Sequence, residues 1–429
     1  MDHRASAERE RRLRDAVSAY QATIEEIGSG RAHMDFKLSE EQSLLRDSVA
    51  RMVGTQIRPR LEANDADKAL PKRVMLEIYA ALADIGLTAP RLPASAGGGE
   101  MRMLDYGIAF EQLPPVIAIS LMSHECTIAR IHAEGGAEHV AALLPDLIAG
   151  RKICCTGSTE PNTGSDPRNI ATRLTNLGDQ CSVSGTKMWI TNGTISDVMI
   201  ATCAAGRTAN GSAVLQRVLI ERDKSPYEAR EIPVLGLRQG HLSEIVLDDC
   251  RVPKANVLGK GGDAARILQS TWVGNRPLLG LCAVNMAQRA LDLAVEYARV
   301  RRQFGGPIGQ KQLVQGRLAD IATAVATSRM LCYHALSLID DGGRADGTSA
   351  MAKRYATTAC AEAISLAMQV HGAMGVAEET GLERLYRDVR MLPIPDGTNE
   401  ILTLILGREL TGFNALRPEL SQAAQRAAE

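Results

Sequence analysis

The chain has 429 residues, of which 45% are hydrophobic and 23% charged, and its 49 basic and 50 acidic side chains leave a formal net charge of −1. This balance excludes a disordered or collagen-like chain and provides no global field for nucleic acid or an anionic membrane, while the length predicts two or three packed domains. Nine cysteines, scattered except for the adjacent Cys154 and Cys155, show no spacing that frames a zinc site or a disulfide scaffold. With no apolar run near the roughly 20 residues of a membrane span and an N-terminus unlike a targeting segment, the expectation is a reduced, cytoplasmic protein.

Residues 1–33 read as a charged helical extension, with Leu13, Val17, Tyr20 and Ile24 at helical spacing before a Gly-Ser-Gly break. A helical domain is expected over 34–150, opened by a capping box in which Ser39 and Gln42 stand three residues apart. Over 151–261 the period changes to short β-prone runs divided by Gly, Asn and Asp, as in "VMIATCAA" and "SEIVLDDCRV", which predicts a central antiparallel β domain. Helical periodicity returns over 262–429, with Leu279, Ala283, Met286, Ala290 and Leu293 along one face. Blocks of helix, strand and helix argue against alternating βαβ units, and no G-x-G-x-x-G follows a strand, so a nicotinamide-binding Rossmann domain is not expected.

Two segments carry candidate chemistry. The first, "CCTGSTEPNTGSD", gathers Thr159, Gly164 and Ser165 in one loop whose backbone N–H groups can approach a ring edge or a pyrophosphate; taken alone it is more simply a surface turn. The second, "VSGTKMWITNG", puts Trp189 and Thr191 on one face of a strand, where an indole is ordinarily core.

In this order and spacing the two segments resemble the acyl-CoA dehydrogenase family. The resemblance extends from Met34 to about Leu410 through "YARVRRQFGGPIGQKQLVQGRLADI", "QVHGAMG", "GLERLYRDVR" and "PDGTNEI". It implies an N-terminal helical domain, a central β domain and a C-terminal four-helix bundle, assembled as a homotetramer or homodimer. It also implies FAD as cofactor and an acyl-CoA or acyl-carrier-protein thioester as substrate, with an electron-transfer flavoprotein as electron acceptor.

Carried over by position, Thr159 meets the flavin N5/O4 edge, Gly164 and Ser165 the pyrophosphate side, and Trp189 and Thr191 the isoalloxazine. Arg301, Gln303 and Phe304, with Gln369 and Gly372 of a second subunit, match the residues that hold the diphosphate and adenine, where an arginine fork suits paired oxygens. Thr398 and Glu400 match further FAD contacts, and Ser165, Arg276 and Gly397 are implied at the substrate.

Two positions depart from the family. Gly372-Ala373 stands where Gly-Gly is usual, and Asp396 stands where the family places its catalytic Glu before Gly-Thr. An α-proton of a thioester is weakly acidic, so its removal requires a carboxylate and donors for the developing enolate. Asp reaches about 1.5 Å less far than Glu, and a misplacement near 1 Å costs on the order of a hundredfold. Some family members place Glu on the first long C-terminal helix, where this chain has Asn275, which cannot accept the proton; His371 and Glu379 belong to no supporting motif. An Asp base is also the mark of nitroalkane oxidases, which share the fold, so a flavin oxidase and a non-catalytic family member stand as alternatives.

Overall fold

A computed structural model describes residues 37–209, 211–259 and 264–416, with the backbone alone described for Arg168 and 264–270. The expected extension over 1–33 lies outside the described residues.

The predicted capping box is formed: the Ser39 N–H donates to Gln42 Oε1 at 3.1 Å, and the Gln42 N–H donates to Ser39 Oγ at 3.1 Å. It opens α1 (Glu40–Met52), which runs through one π turn into α2 (Arg58–Glu62). Helices α3 (Lys72–Ala83), α4 (Met103–Glu111), α5 (Pro115–Glu134) and α6 (Ala137–Ile148) complete the first helical layer. Helix α5 starts with proline at N1, where the missing N–H leaves no helical hydrogen bond unmade, and it is buried almost all round.

The middle of the chain forms β1 (Cys154–Gly157), β2 (Arg173–Asn176), β3 (Gln180–Thr191), β4 (Val198–Arg207), β5 (Ala213–Glu221), β6 (Glu228–Glu231), β7 (Leu242–Pro253) and β8 (Val257–Leu258). The sheet order is β6-β7-β3-β2-β4-β5-β8, and β1 pairs with β4. Most pairings are antiparallel as expected, but β4 pairs in parallel with both β1 and β2, so the sheet is mixed. Strand β4 explains why its sequence is a continuous apolar run rather than an alternating one. Met199, Ala201 and Cys203 enter a core inside the sheet, while Val198 and Ile200 enter another against α5 and α6. Cys154 and Cys155 divide between these two cores in the same way.

His124 joins α5, α6 and β1. Its Nε2 lies 3.0 Å from the Leu147 carbonyl and its Nδ1 accepts the Cys154 N–H at 3.2 Å. Burial pushes its pKa down to about 4, so the ring stays neutral with one nitrogen donating and the other accepting.

Three long helices follow: α7 (Ala264–Val300), α8 (Gln312–Asp340) and α9 (Asp346–His371). The small hairpin of β9 (Arg302–Gln303) and β10 (Gly306–Pro307) separates the first two, and α10 (Leu382–Val389) and α11 (Asn399–Thr411) complete the group. The absence of a long apolar run needs correction, because Thr271–Val300 is long and apolar enough to cross a membrane by length and composition. Its apolar side chains are used instead in the helical core, where Leu278, Leu279, Leu281, Ala283 and Met286 are fully buried. Gly280 permits that packing, since a Cβ there would stand 2.5 Å from Cys332 Sγ on α8.

All nine cysteines are free and buried. In the native protein none should react rapidly with an aromatic disulfide reagent, and denaturation should release nine thiols; fast native labelling of several would contradict this packing.

Candidate active site

The loop after α10 ends in Pro395-Asp396-Gly397, where Asp396 has φ +52° and Gly397 φ +95°. Thr398 then caps α11, its side chain accepting the Ile401 N–H at 3.4 Å. Two buried cations grip this turn by its carbonyls. Arg276 of α7 donates from Nε to the Asp396 carbonyl at 3.2 Å, and Lys353 of α9 donates from Nζ to the Gly397 carbonyl at 2.6 Å. Both grips reach backbone and leave the Asp396 carboxylate free of hydrogen bonds. Its Oδ2 is sealed from solvent without a partner.

Burial pushes the Lys353 pKa down to about 8, with the Asp396 charge opposing the shift. Between pH 8 and the ordinary lysine range the unfolded chain therefore binds more protons than the folded one, so stability rises with pH across that window. The gain should be on the order of 1–3 kcal/mol and absent in Lys353→Met; denaturation midpoints at pH 7.5 and 9.5 for both proteins check it. Lys353 escaped the sequence analysis although a signal was present. It lies on a helix face shared with Ala350, Ala356, Thr357 and Cys360, all buried, where a charge calls for a partner.

The predicted cofactor loop is built from a second buried pair. Glu160 accepts from the Ala171 N–H at 2.7 Å, the Thr172 N–H at 2.9 Å and Lys187 Nζ at 2.7 Å. Burial alone would push the Glu160 pKa up, but the Lys187 hydrogen bond and charge, with the hydrogen bonds from Thr172 and Ala171, together hold the carboxyl below its ordinary range. The preceding residue, Thr159, accepts the Met188 N–H through its carbonyl at 2.9 Å, which joins the Thr159 loop to the strand carrying Trp189.

Trp189 has φ +62° beside an irregularity in the β3–β7 register, and 49% of its surface is exposed. Ile190 points into the core, so Trp189 and Thr191 share the outer face as their spacing predicts. Gly164 and Ser165 are exposed, and a Cβ built on Gly164 meets nothing within 4 Å. An uncovered indole and an exposed Gly-Ser backbone suit a planar, hydrogen-bonding ring system, so these residues fit a flavin.

Most of the remaining predicted contacts lie at the C-terminal ends of α7 and α9, while Glu400 lies apart from them beside the Asp396 loop. Arg301 follows α7, and Gln303 and Phe304 form the hairpin, with Phe304 92% exposed at φ +51°. Tyr297 of α7 stacks on His371 of α9 at 4.4 Å, which joins the last turn of α7 before this hairpin to the end of α9 that carries Gln369 and Gly372. Gln369 and Gly372 are exposed, as is Glu400 in the first turn of α11. Among the described residues, three of the seven non-glycine positions with left-handed φ are Trp189, Phe304 and Asp396. This conformation is costly for bulky side chains and concentrates at functional sites.

Profiles of the acyl-CoA dehydrogenase N-terminal, middle and C-terminal domains match residues 39–151, 155–250 and 265–411. The chain belongs to the acyl-CoA dehydrogenase family. A probable acyl-CoA dehydrogenase of Bacillus subtilis (strain 168) is 30% identical over 387 residues, covering 88% of this chain and all of that protein. The structure of butyryl-CoA dehydrogenase from Megasphaera elsdenii superimposes with a TM-score of 0.82 at 27% identity, covering 88% of this chain and all of that one. A prolyl acyl carrier protein oxidase is also similar, with a TM-score of 0.81 at 26% identity over 87% of this chain and all of that one.

Acyl-CoA dehydrogenases are flavin-dependent oxidoreductases that bind FAD. Sequence reasoning missed the two pairs that position the site, Lys353 with Gly397 and Lys187 with Glu160, as well as a third buried cation. Arg130 of α5 is 6% exposed and donates from Nη1 to Thr156 Oγ1 at 2.8 Å, while Cys126, Glu134 and then Asp396 partly offset what burial does to its guanidinium.

Proposed function

We propose that the protein removes the α-proton of an acyl thioester through Asp396 while a hydride leaves the β-carbon. The observation that carries this reading is the Asp396 carboxylate, half withdrawn from solvent, with one oxygen sealed and neither engaged. A carboxylate serving only as a turn residue would bond to nearby backbone N–H groups, as Asp65 does with Asp67. Arg276 and Lys353 fix the backbone and leave the side chain to the substrate. No protein acceptor among the described residues takes the Asp396 N–H, which leaves that donor for the developing enolate oxygen.

Thr159, Gly164, Ser165, Trp189 and Thr191 would hold the flavin end of FAD, and Thr398 and Glu400 lie where the loop meets α11. When bound, FAD supplies the acceptor for the hydride. The exposed group of Arg301, Gln303, Phe304, Gln369 and Gly372 would serve the adenosine half bound to a second copy of the chain, so the assembly is a homodimer or homotetramer. Electrons would then leave to an electron-transfer flavoprotein.

Anaerobic titration of the FAD-loaded protein with acyl-CoAs, read at the flavin absorbance band, tests this proposal. Bleaching by an acyl-CoA with little peroxide in air is expected. Peroxide from nitroalkanes without bleaching by any thioester would establish the oxidase reading that an aspartate base also fits, and a titration with matching acyl carrier protein substrates identifies the carrier.

A further inference from the structure

Several hydrogen-bond donors surround Asp396. On α5, Cys126 donates from Sγ to Asn275 Oδ1 at 3.2 Å, which bridges to α7 one residue before Arg276. Adjacent Glu125 is 1% exposed and takes the Arg91 guanidinium at 3.0 Å from Nε and 2.7 Å from Nη2. This bidentate grip leaves Arg91 Nη1 without a protein acceptor, and that atom lies 3.5 Å from where a Cβ on Gly274 would stand. Arg91 thus reaches α7 immediately beside Asn275.

Three more polar atoms here are buried and unmatched: Arg130 Nε, Arg276 Nη1 and Tyr106 Oη. All three can donate, and the Tyr106 hydroxyl can also accept. A buried donor without an acceptor costs about 1–3 kcal/mol, and such sites persist where a ligand completes them. Arg91 and Glu125 cancel, and the Asp396 charge acts on Arg130, Arg276 and Lys353, with Glu134 acting more strongly on Arg130 and with Asp346 and Glu400 adding to it at Arg276 and Lys353. A saturated hydrocarbon tail would leave Arg130 Nε, Arg276 Nη1 and Arg91 Nη1 without acceptors, which is the costly arrangement.

Resting on the dehydrogenase reading above, we infer that the acyl group carries a second carbonyl acceptor, a carboxylate foremost, beyond the carbons that react. Arg130 and Arg91 are the specificity-determining donors, while Arg276 remains a positioning residue for the base loop.

The FAD-loaded enzyme is titrated calorimetrically, without air, with three five-carbon thioesters: pentanoyl-CoA, glutaryl-CoA and the terminal amide of glutaryl-CoA. Glutaryl-CoA should bind at least about tenfold more tightly than pentanoyl-CoA, with the amide between them, as expected for a charge-assisted hydrogen bond against none. Arg130→Met, or Arg91→Met combined with Glu125→Gln to avoid stranding a buried carboxylate, should remove the preference while FAD absorbance is retained. Pentanoyl-CoA binding as tightly as glutaryl-CoA, or a preference unchanged in both variants, overturns the proposal. Flavin bleaching is recorded separately, so its absence defeats the dehydrogenase reading without altering the binding comparison.

Discussion

Asp396→Asn should keep FAD and lose nearly all flavin bleaching, with the rate of reduction falling about 10²–10⁴-fold, the usual contribution of a positioned general base. The amide is nearly isosteric and the loop is held through carbonyls by Arg276 and Lys353, so folding and cofactor content should stay unchanged. Stopped-flow reduction under nitrogen measures the rate, and a variant within a few-fold of the parent would remove Asp396 from the mechanism. Asp396→Glu discriminates further. It adds about 1.5 Å of reach, so activity within roughly a hundredfold of the parent is expected from a base that remains in place but misaligned.

Lys187→Met should be the most damaging single change to the central sheet. Lys187 is wholly buried and Glu160 nearly so, and Lys187 Nζ also donates to the Thr202 carbonyl at 2.6 Å. Removing one partner strands a buried carboxylate, which costs about 3–5 kcal/mol. Because Glu160 ties down Ala171 and Thr172 next to the Thr159 loop, the damage should extend to flavin retention, read as colourless protein after gel filtration. The double variant Lys187→Met with Glu160→Gln should recover a large part of the stability. Equal loss in the single and double variants would show that the ion pair is not what holds this loop.

Local patterns announced much of this fold. The capping box of Ser39 and Gln42, the apolar runs of β4 and β5, and the helical stripe through Leu279, Ala283 and Met286 follow from rules that act over a few residues. The alternation of Trp189 and Ile190 was legible for the same reason. The parallel pairing of β1 with β4 was not, because it joins Cys154 to Val198 across 44 positions and leaves no short-range mark.

The site divides along the same line. Asp396, Arg276 and the Thr159 loop sit in motifs that can be read along the chain. Arg130, Lys353 and Arg91 carry no motif, and each acquires meaning only when a distant segment is folded against it: Thr156, Gly397 and Glu125 respectively. A single charge in an apolar helical stripe signals that a partner exists without naming it.

Lys353 and Gln369 lie on one unbroken helix, 16 residues apart, or about 24 Å along its axis. That rod joins the hand that steadies the proton acceptor to the surface expected to meet the nucleotide half of the cofactor. On the proposed reading, loading of the far moiety and alignment of the reacting groups are linked through this one helix.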